Sequence, residues 1–251
     1  MKKRLSFCLL ALLIISGSCD KEKITVPSTI SDDLIAYYPF TGNANDVSGN
    51  NYNGISYGAV LTTDRFGKAN SAYSFDGITS YIDVNNTFFD NGWANMTFSV
   101  WFNSNANISR PQGGGQVIIN TNPHNGFGVG YNYQSNQKIY STKNSDPQIT
   151  GSWDIIGLSE GNFNYSPVIL NNWYHIAIVK SGLDYQYYLN GQPDKSLSTS
   201  VAPIKYLCSL RFGGIAQHTD PNKECFSGKI DEIRIYNRSL SPDEILYLAT
   251  H

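Results

Sequence analysis

The sequence predicts an all-β fold, a sandwich of two antiparallel sheets, followed by a short C-terminal helix. Its 251 residues include 17 Tyr, 12 Phe and 22 Gly but only two Met, a composition that favours strands joined by tight turns over packed helices. From Leu34 onward, short apolar segments alternate with clusters of Gly, Asn and Asp. Such a series of short strands with regular turn signals is typical of a sandwich. A hydrophobic content of 41% is sufficient for a buried core.

Ten segments are predicted as strands from their alternation and their flanking turn residues. They are Leu34–Phe40, Ser71–Phe75, Tyr81–Val84, Met96–Phe102, Val117–Asn120, Gly126–Tyr131, Trp173–Lys180, Tyr185–Leu189, Ser209–Gly213 and Lys229–Tyr236. Alternation is clearest in Met96–Phe102, where Phe98, Val100 and Phe102 share one face. The remainder of residues 103–167, rich in Gly, Asn and Ser, is predicted to form long loops.

Three local signals refine this prediction. Asn190-Gly191 directly follows a predicted strand and predicts a tight hairpin. Ile230 and Ile233 are three residues apart and cannot both face the core of a regular strand, which predicts a bulge near Asp231. Near the end, Ser-Pro-Asp-Glu at 241–244 has the pattern of a helix N-cap, a first-turn Pro and a capping box.

The N-terminus has the pattern of an export signal. Three basic residues precede an apolar run, Leu5–Ile15, that is too short to span a bilayer stably. The segment Ser16-Gly17-Ser18-Cys19 then resembles a lipobox, with Ser16 where a Leu is usual. We predict a signal peptide at 1–18, a lipid on Cys19, a flexible tether at 19–32 and a folded domain at 33–251. The chain would then be exported and held at the outer membrane or cell surface. A plain secretory peptide cleaved near Ser18 is the alternative.

Charge and cysteine content narrow the possible partners. Removing the leader takes three of the 18 basic residues and none of the 20 acidic ones, which leaves a formal net charge of −5. No stretch is densely basic, so nucleic acid is not an expected partner. Cys208 and Cys225 remain after the leader and anchor are assigned. In an oxidising compartment they can form a disulfide, and two separate core cysteines are the alternative.

Several blocks that follow one another along the chain resemble the laminin-G-like, concanavalin A-like jelly-roll modules of bacterial exported proteins. The blocks are Leu34–Asn50, Arg65–Gly77, Tyr81–Val84, Thr97–Phe102, Trp173–Val179, Tyr187–Gly191 and Gly228–Ile245. The resemblance implies two sheets packed face to face, with the first and last strands close together. It does not imply one function, because such modules occur in adhesins, receptors and accessory domains of carbohydrate-active enzymes.

The sequence does not predict catalysis. Jelly-roll glycoside hydrolases carry two Glu in a Glu-x-Asp-x-x-Glu pattern, a spacing that can hold two carboxyls about 5–5.5 Å apart. None of the five Glu of this chain lies in that pattern, and no Ser or Cys stands in a Gly-x-Ser-x-Gly context. We therefore expect no catalytic residues, and His175, within Trp-Tyr-His, is expected to be a packed histidine rather than a base.

Calcium is the predicted metal. The turn around Asn43 and Asp46 is dense in oxygen donors, the ligands that Ca²⁺ prefers. The resemblance to jelly rolls with a structural calcium near the first and last strands implies Asp46 and Asp231 as ligands, with a backbone carbonyl near Gly77. The alternative is that these residues only cap turns.

Carbohydrate is the predicted ligand, because sugar rings stack on aromatic faces while amides and carboxylates bind their hydroxyl groups. Loop aromatics accompanied by such polar residues are the candidates: Trp153, Asp154, Tyr131, Tyr133 and Trp93. The expected function is thus a non-catalytic, membrane-anchored binding module for carbohydrate. A protein-binding adhesin or structural envelope lipoprotein, with an envelope or host protein as partner, is the alternative, and a diverged glycoside hydrolase is a further one.

Overall fold

The computed structural model describes residues 26–84, 94–107, 115–121, 128–131, 139–143, 154–156, 168–198, 209–215 and 225–251. These residues form two antiparallel sheets and one helix. The elements are β1 (Leu34–Tyr38), β2 (Ile55–Tyr57), β3 (Val60–Thr62), β4 (Ala72–Asp76), β5 (Tyr81–Val84), β6 (Asn95–Ser104), β7 (Gln116–Thr121), β8 (Gly128–Tyr131), β9 (Ile139–Lys143), β10 (Asp154–Ile156), β11 (Tyr174–Ser181), β12 (Asp184–Leu189), β13 (Gln192–Ser198), β14 (Leu210–Phe212), β15 (Ser227–Tyr236) and α1 (Pro242–Leu248).

The predicted sandwich is confirmed by the sheet topology. The first sheet has the order β13-β12-β11-β6-β15-β4-β3, and β1 also pairs with β15. The second sheet has the order β10-β9-β8-β7-β14-β5-β2. The first and last strands are therefore neighbours, with Tyr38 of β1 opposite Ile233 of β15. Each sheet joins strands that are distant in the chain.

The core lies between the sheets and is rich in aromatic residues. Alternate residues of β6, namely Phe98, Val100 and Phe102, are buried in it, as the alternation predicts. Rings from both sheets meet edge to face, for example those of Tyr38 and Phe212, whose centroids are 4.9 Å apart. Edge-to-face contacts of this kind add to the free energy of burying the rings.

The predicted hairpin and bulge are both confirmed. Asn190 and Gly191 separate Leu189 from its partner Gln192 and have φ values of 50° and 79°, the positive φ that tight hairpin turns require. In β15 the register with β6 shifts between Asp231 and Arg234, and Glu232 has a φ of 51°. The bulge lets Ile230 and Ile233 both reach the core with no exposed surface.

The helix α1 covers the outer side of the first sheet. Ser241 and Glu244 form the predicted capping box. Ile245 and Leu248 pack on outward residues of β11, β12 and β15, among them Ala177 and Val179. So short a helix depends on this packing for its stability.

Several segments carry structure that the sequence analysis did not predict, among them β2, β3 and β13. Residues 103–167, expected to be mostly loops, contain β9 and β10 in addition to the two strands predicted there. β9 and β10 were not predicted because both are short, and the pairing of β10 with β9 and of β9 with β8 defines them as strands. Residues 27–32, assigned to the tether, contact the domain: Thr29 Oγ1 donates to Glu244 Oε1 at 2.6 Å, and Ile30 packs beside α1.

Candidate functional site

Only some of the residues predicted to bind carbohydrate lie within the described part of the chain. The backbones of Tyr131 and Asp154 lie in β8 and β10 of the second sheet, separated by β9. Tyr133, Trp153 and Trp93 lie outside the described residues.

Two of the cysteines assigned from the sequence, Cys19 and Cys208, also lie outside the described residues, while Cys225 is buried next to Val117 of β7. The lipid anchor and the disulfide therefore stay predictions.

Asp46, a predicted calcium ligand, fixes the turn after β1. Its Oδ1 accepts hydrogen bonds from the backbone N–H groups of Tyr37 and Ser48, both at 2.9 Å. Its Oδ2 accepts from Ser48 Oγ at 2.9 Å and from the N–H of Tyr52 at 3.1 Å. Four donors match the capacity of a carboxylate, so as placed here Asp46 stabilises a turn and offers no oxygen to a cation.

Asp231, the second predicted ligand, is buried beside a cation. Its Oδ2 lies 2.9 Å from Nη1 of Arg65, and its side chain is 2% exposed. Burial, and secondarily Glu232, raises the pKa of Asp231 to about 7 although Arg65 acts in the opposite direction. Arg65 also stacks against Trp101 and Phe66 and donates to the main-chain oxygen of His251. A guanidinium in contact with the carboxylate repels a second cation.

The other two predicted ligands are also engaged in turns. Asn43 Oδ1 accepts from the N–H of Asn45 at 2.8 Å, and Gly77 lies with a φ of 74° in a turn held by the Asp76 carboxylate. Within the described residues, no three His, Cys, Asp or Glu side chains form a metal-binding group. The four residues as placed do not fit a calcium ion, and calcium stays a prediction from sequence.

His175 is packed, as predicted from the sequence. It is fully buried, its Nε2 lies 2.8 Å from Ser99 Oγ, and its ring lies 5.4 Å from that of Trp101. Burial, reinforced by Arg234 and Arg65, lowers the pKa of His175 to about 3, so the ring is neutral at physiological pH. A neutral, inaccessible imidazole of this kind has a structural role.

The outward face of the second sheet carries the best-formed candidate site. Burial alternates in β5 and β14, where Ile82 and Phe212 face the core and Tyr81, Asp83 and Arg211 face outward. Register aligns Arg211 with Asp83 and Tyr81 with Tyr57 of the edge strand β2. We call the surface formed by Tyr57, Tyr81, Asp83 and Arg211 the tyrosine–arginine face.

Two ring contacts and an ion pair organise the tyrosine–arginine face. The rings of Tyr57 and Tyr81 are stacked, with centroids 4.9 Å apart and planes at 25°. The guanidinium of Arg211 lies 3.8 Å from the centroid of the Tyr81 ring, a favourable cation–π distance. Arg211 also binds Asp83 through two parallel hydrogen bonds of 2.6 and 2.8 Å. Tyr81 is thus held in place, and Tyr57, 43% exposed, is the accessible ring.

This arrangement is suited to stacking. Among the side chains described on the tyrosine–arginine face, the one carboxylate is Asp83, and Arg211 binds both of its oxygens. An exposed aromatic ring beside polar groups is a surface on which a sugar ring can pack. The site combines residues from β2, β5 and β14, which are widely separated in the chain.

Sequence reasoning missed the tyrosine–arginine face although part of its signal was present. Tyr81 and Asp83 alternate with apolar residues in a predicted strand, and Arg211 lies in another. Alternation alone therefore marked all three as outward residues. Their proximity depends on the register of β2, β5 and β14, which local patterns do not encode.

The two antiparallel sheets, with first and last strands paired and a helix on the outer side, define this chain as a jelly-roll sandwich of the lectin type. The chain belongs to the concanavalin A-like lectin/glucanases superfamily, whose family model matches residues 76–246. No curated protein sequence matches the chain significantly.

Solved structures with the same fold include sugar-binding domains and an enzyme. Domain 4 of AbnA, an extracellular arabinanase of Geobacillus stearothermophilus, in complex with arabinotriose, aligns with a TM-score of 0.66 and 18% identity over 87% of this chain and 98% of that one. The binding domain of botulinum neurotoxin DC in complex with SialylT gives 0.64 and 17% over 88% of this chain and 52% of that one. Trypanosoma rangeli sialidase gives 0.62 and 15% over 89% and 33%. At these identities the likeness establishes the fold alone.

The described residues include no helix with the length and apolar character needed to cross a membrane.

Proposed function

We propose that this chain is a non-catalytic carbohydrate-binding module, exported and held at a membrane surface by a lipid on Cys19, and that it contacts its ligand through the tyrosine–arginine face. The observation that carries the proposal is the stack of Tyr57 on Tyr81, with Tyr57 exposed at the sheet edge. Two structural neighbours bound to sugars, an arabinanase domain with arabinotriose and a neurotoxin domain with SialylT, support a carbohydrate ligand.

A binding role without catalysis is favoured by the hydrogen bonds that Asp83 makes with Arg211. Glycoside hydrolysis generally requires one carboxyl group that gives up a proton and a second that acts as base or nucleophile. Asp83 is bound by the Arg211 guanidinium through both oxygens, so this carboxylate is already engaged within the protein. The anchor is supported by the basic, apolar and lipobox-like order of residues 2–19.

The proposal is tested with the purified full-length chain on an array of immobilised glycans, with and without a chelator. We expect saturable binding to a limited set of glycans. The Tyr57→Ala variant should bind about tenfold more weakly, which corresponds to about 1.4 kcal/mol, because the stacking surface is lost. If calcium is required, the chelator abolishes binding; if calcium has no part in it, binding persists.

A matched control is Phe66→Ala, which removes an even more exposed ring, 68% exposed, from the loop between β3 and β4 of the first sheet. It should leave glycan binding unchanged. Absence of any glycan binding, together with saturable capture of envelope or host proteins by wild type and Tyr57→Ala alike, would establish the protein-binding alternative. Turnover of a glycan on the array would show that the chain is a hydrolase.

A further inference from the structure

The two charges of the tyrosine–arginine face, on Arg211 and Asp83, are paired with each other within the protein. Arg211 donates from Nε to Asp83 Oδ1 at 2.6 Å, from Nη2 to Asp83 Oδ2 at 2.8 Å, and from Nη1 to the carbonyl of Ile215 at 2.9 Å. Its flat guanidinium group also lies on the Tyr81 ring at 3.8 Å. Every nitrogen of this side chain therefore has a protein partner.

An acidic ligand would meet a guanidinium whose positive charge is already balanced by Asp83. The Arg211 and Asp83 side chains are 11% and 18% exposed, so the pair is largely removed from water. A ligand carboxylate bound to the remaining N–H groups of Arg211 would place a second negative charge beside Asp83 in a poorly solvated position. A cationic ligand gains little attraction from Asp83, because the charge of Asp83 is already balanced by Arg211.

The accessible part of the tyrosine–arginine face and its edge is apolar. Tyr57 is 43% exposed, and Ile55, two residues earlier on β2 and paired with Asp83, is 50% exposed. The C–H side of an uncharged sugar ring matches such a surface, since it is buried by stacking and requires no counter-charge. Its hydroxyl groups can be satisfied by the polar atoms at the margin of the stack.

From these contacts we infer that the tyrosine–arginine face selects uncharged saccharides and excludes acidic ones. This inference rests on the proposed function and specifies its ligand class. Tyr57 is the contact residue, and Arg211 is a positioning residue that acts through Tyr81: it fixes the ring on which Tyr57 stacks. The ion pair with Asp83 holds Arg211 in that position and at the same time cancels its charge.

The inference is tested by calorimetric titration of the full-length chain with two probes, a neutral oligosaccharide retained on the array, or arabinotriose, and a sialylated oligosaccharide. Each titration is performed at about 50 mM and about 500 mM NaCl, because added salt screens interactions between charges. We expect binding of the neutral probe, with affinities at the two salt concentrations that agree within about twofold, and no binding of the sialylated probe.

Variants distinguish the role of Tyr57, which contacts the ligand, from that of Arg211, which positions the Tyr81 ring. Tyr57→Phe keeps the ring and should keep the affinity, whereas Tyr57→Ala should lose about tenfold. Arg211→Gln should weaken binding of the neutral probe several-fold, leave it independent of salt, and change the near-ultraviolet circular dichroism of the tyrosines. A purely structural role of Arg211 is distinguished by the double variant with Tyr57→Ala, in which the loss from Arg211→Gln should disappear if both act through one stack.

The outcomes are distinct. Tight, salt-sensitive binding of the sialylated probe that Arg211→Gln abolishes overturns the inference and leaves the proposed carbohydrate function in place. Binding of a neutral probe that is unaffected by Tyr57→Ala overturns the assignment of the site. Binding of neither probe and of no glycan on the array overturns the proposed function, and the inference falls with it.

Discussion

At the scale of single residues, Asp231 is a buried carboxylate with only one of its two oxygens paired. Arg65 binds its Oδ2, while its buried Oδ1 has no hydrogen-bond partner among the described residues. Burial and Glu232, with a smaller contribution from Asp64, raise the pKa of Asp231 to about 7 against the effect of Arg65. The bulge at Glu232 that was predicted from the spacing of Ile230 and Ile233 accounts for this position, because it interrupts the regular alternation of β15.

The raised pKa of Asp231 predicts a pH dependence of stability. The folded state binds the proton more tightly than the unfolded state, whose pKa is near 3.8. The stabilisation from protonation is therefore complete below about pH 4 and is lost as the pH rises toward about 7. Asp231→Asn should flatten this fall in the free energy of unfolding, which for one group is at most about 1.4 kcal/mol per pH unit. Urea unfolding between pH 5 and 8 measures it.

The control for Asp231→Asn is Asp243→Asn, an exposed carboxylate on α1. This variant should retain the wild-type slope of stability against pH. Equal slopes for wild type and Asp231→Asn would show that the buried carboxylate does not titrate in this range.

At the scale of elements, the strands differ in how well the sequence predicted them. β6, β11 and β15 are long, alternate clearly and were predicted within a few residues. β2, β3 and β13 were missed: all three residues of β2 are exposed, β3 has only three residues, and β13 begins Gln-Pro-Asp-Lys without alternation. Such edge strands bury little surface, so the pairing partner and not the local pattern determines them. The tyrosine–arginine face was missed for the same reason, because β2 supplies Tyr57.

The helix α1 gives a prediction at this scale. Ser241 Oγ accepts from the N–H of Glu244 at 3.3 Å, and Glu244 in turn accepts from the N–H of Ser241 and from Arg238 and Thr29. Although burial would raise the pKa of Glu244, these hydrogen bonds outweigh it and lower the pKa to about 2. Ser241→Ala should reduce the free energy of unfolding by about 1 kcal/mol, as for other helix N-caps. Thermal and urea denaturation measure the change.

Thr250→Ala is the matched control for Ser241→Ala, since it also removes one hydroxyl near α1. Thr250 Oγ1 bonds only exposed groups at the far end of the helix, so its loss should change the free energy of unfolding by less than about 0.5 kcal/mol. A cost for Ser241→Ala no larger than that of Thr250→Ala would mean that the cap contributes little to the docking of α1.

At the scale of the whole molecule, the N-terminal segment and the tyrosine–arginine face lie on opposite layers of the sandwich. Thr29 and Ile30 contact α1, which covers the outer side of the first sheet. Tyr57, Tyr81 and Arg211 lie on the outward side of the second sheet. The sequence alone did not show this relation, because it depends on the assignment of strands to sheets and on the close contact between residues near 30 and residues near 240.

This placement predicts that the proposed lipid anchor and the proposed ligand site act independently of each other. A chain attached to a membrane through Cys19 would meet the domain at the α1 side, where Thr29 and Ile30 lie, and the tyrosine–arginine face is on the opposite sheet. We expect wild type in the membrane fraction of a bacterial host that lipidates exported proteins, and Cys19→Ser in the soluble fraction, because stable anchoring requires the acyl chains. The two should bind the same glycans with equal affinity and unfold at the same temperature. Persistence of Cys19→Ser in the membrane fraction after a high-salt wash would contradict the lipid anchor. A lower glycan affinity of soluble Cys19→Ser than of wild type would contradict the independence of the anchor and the tyrosine–arginine face.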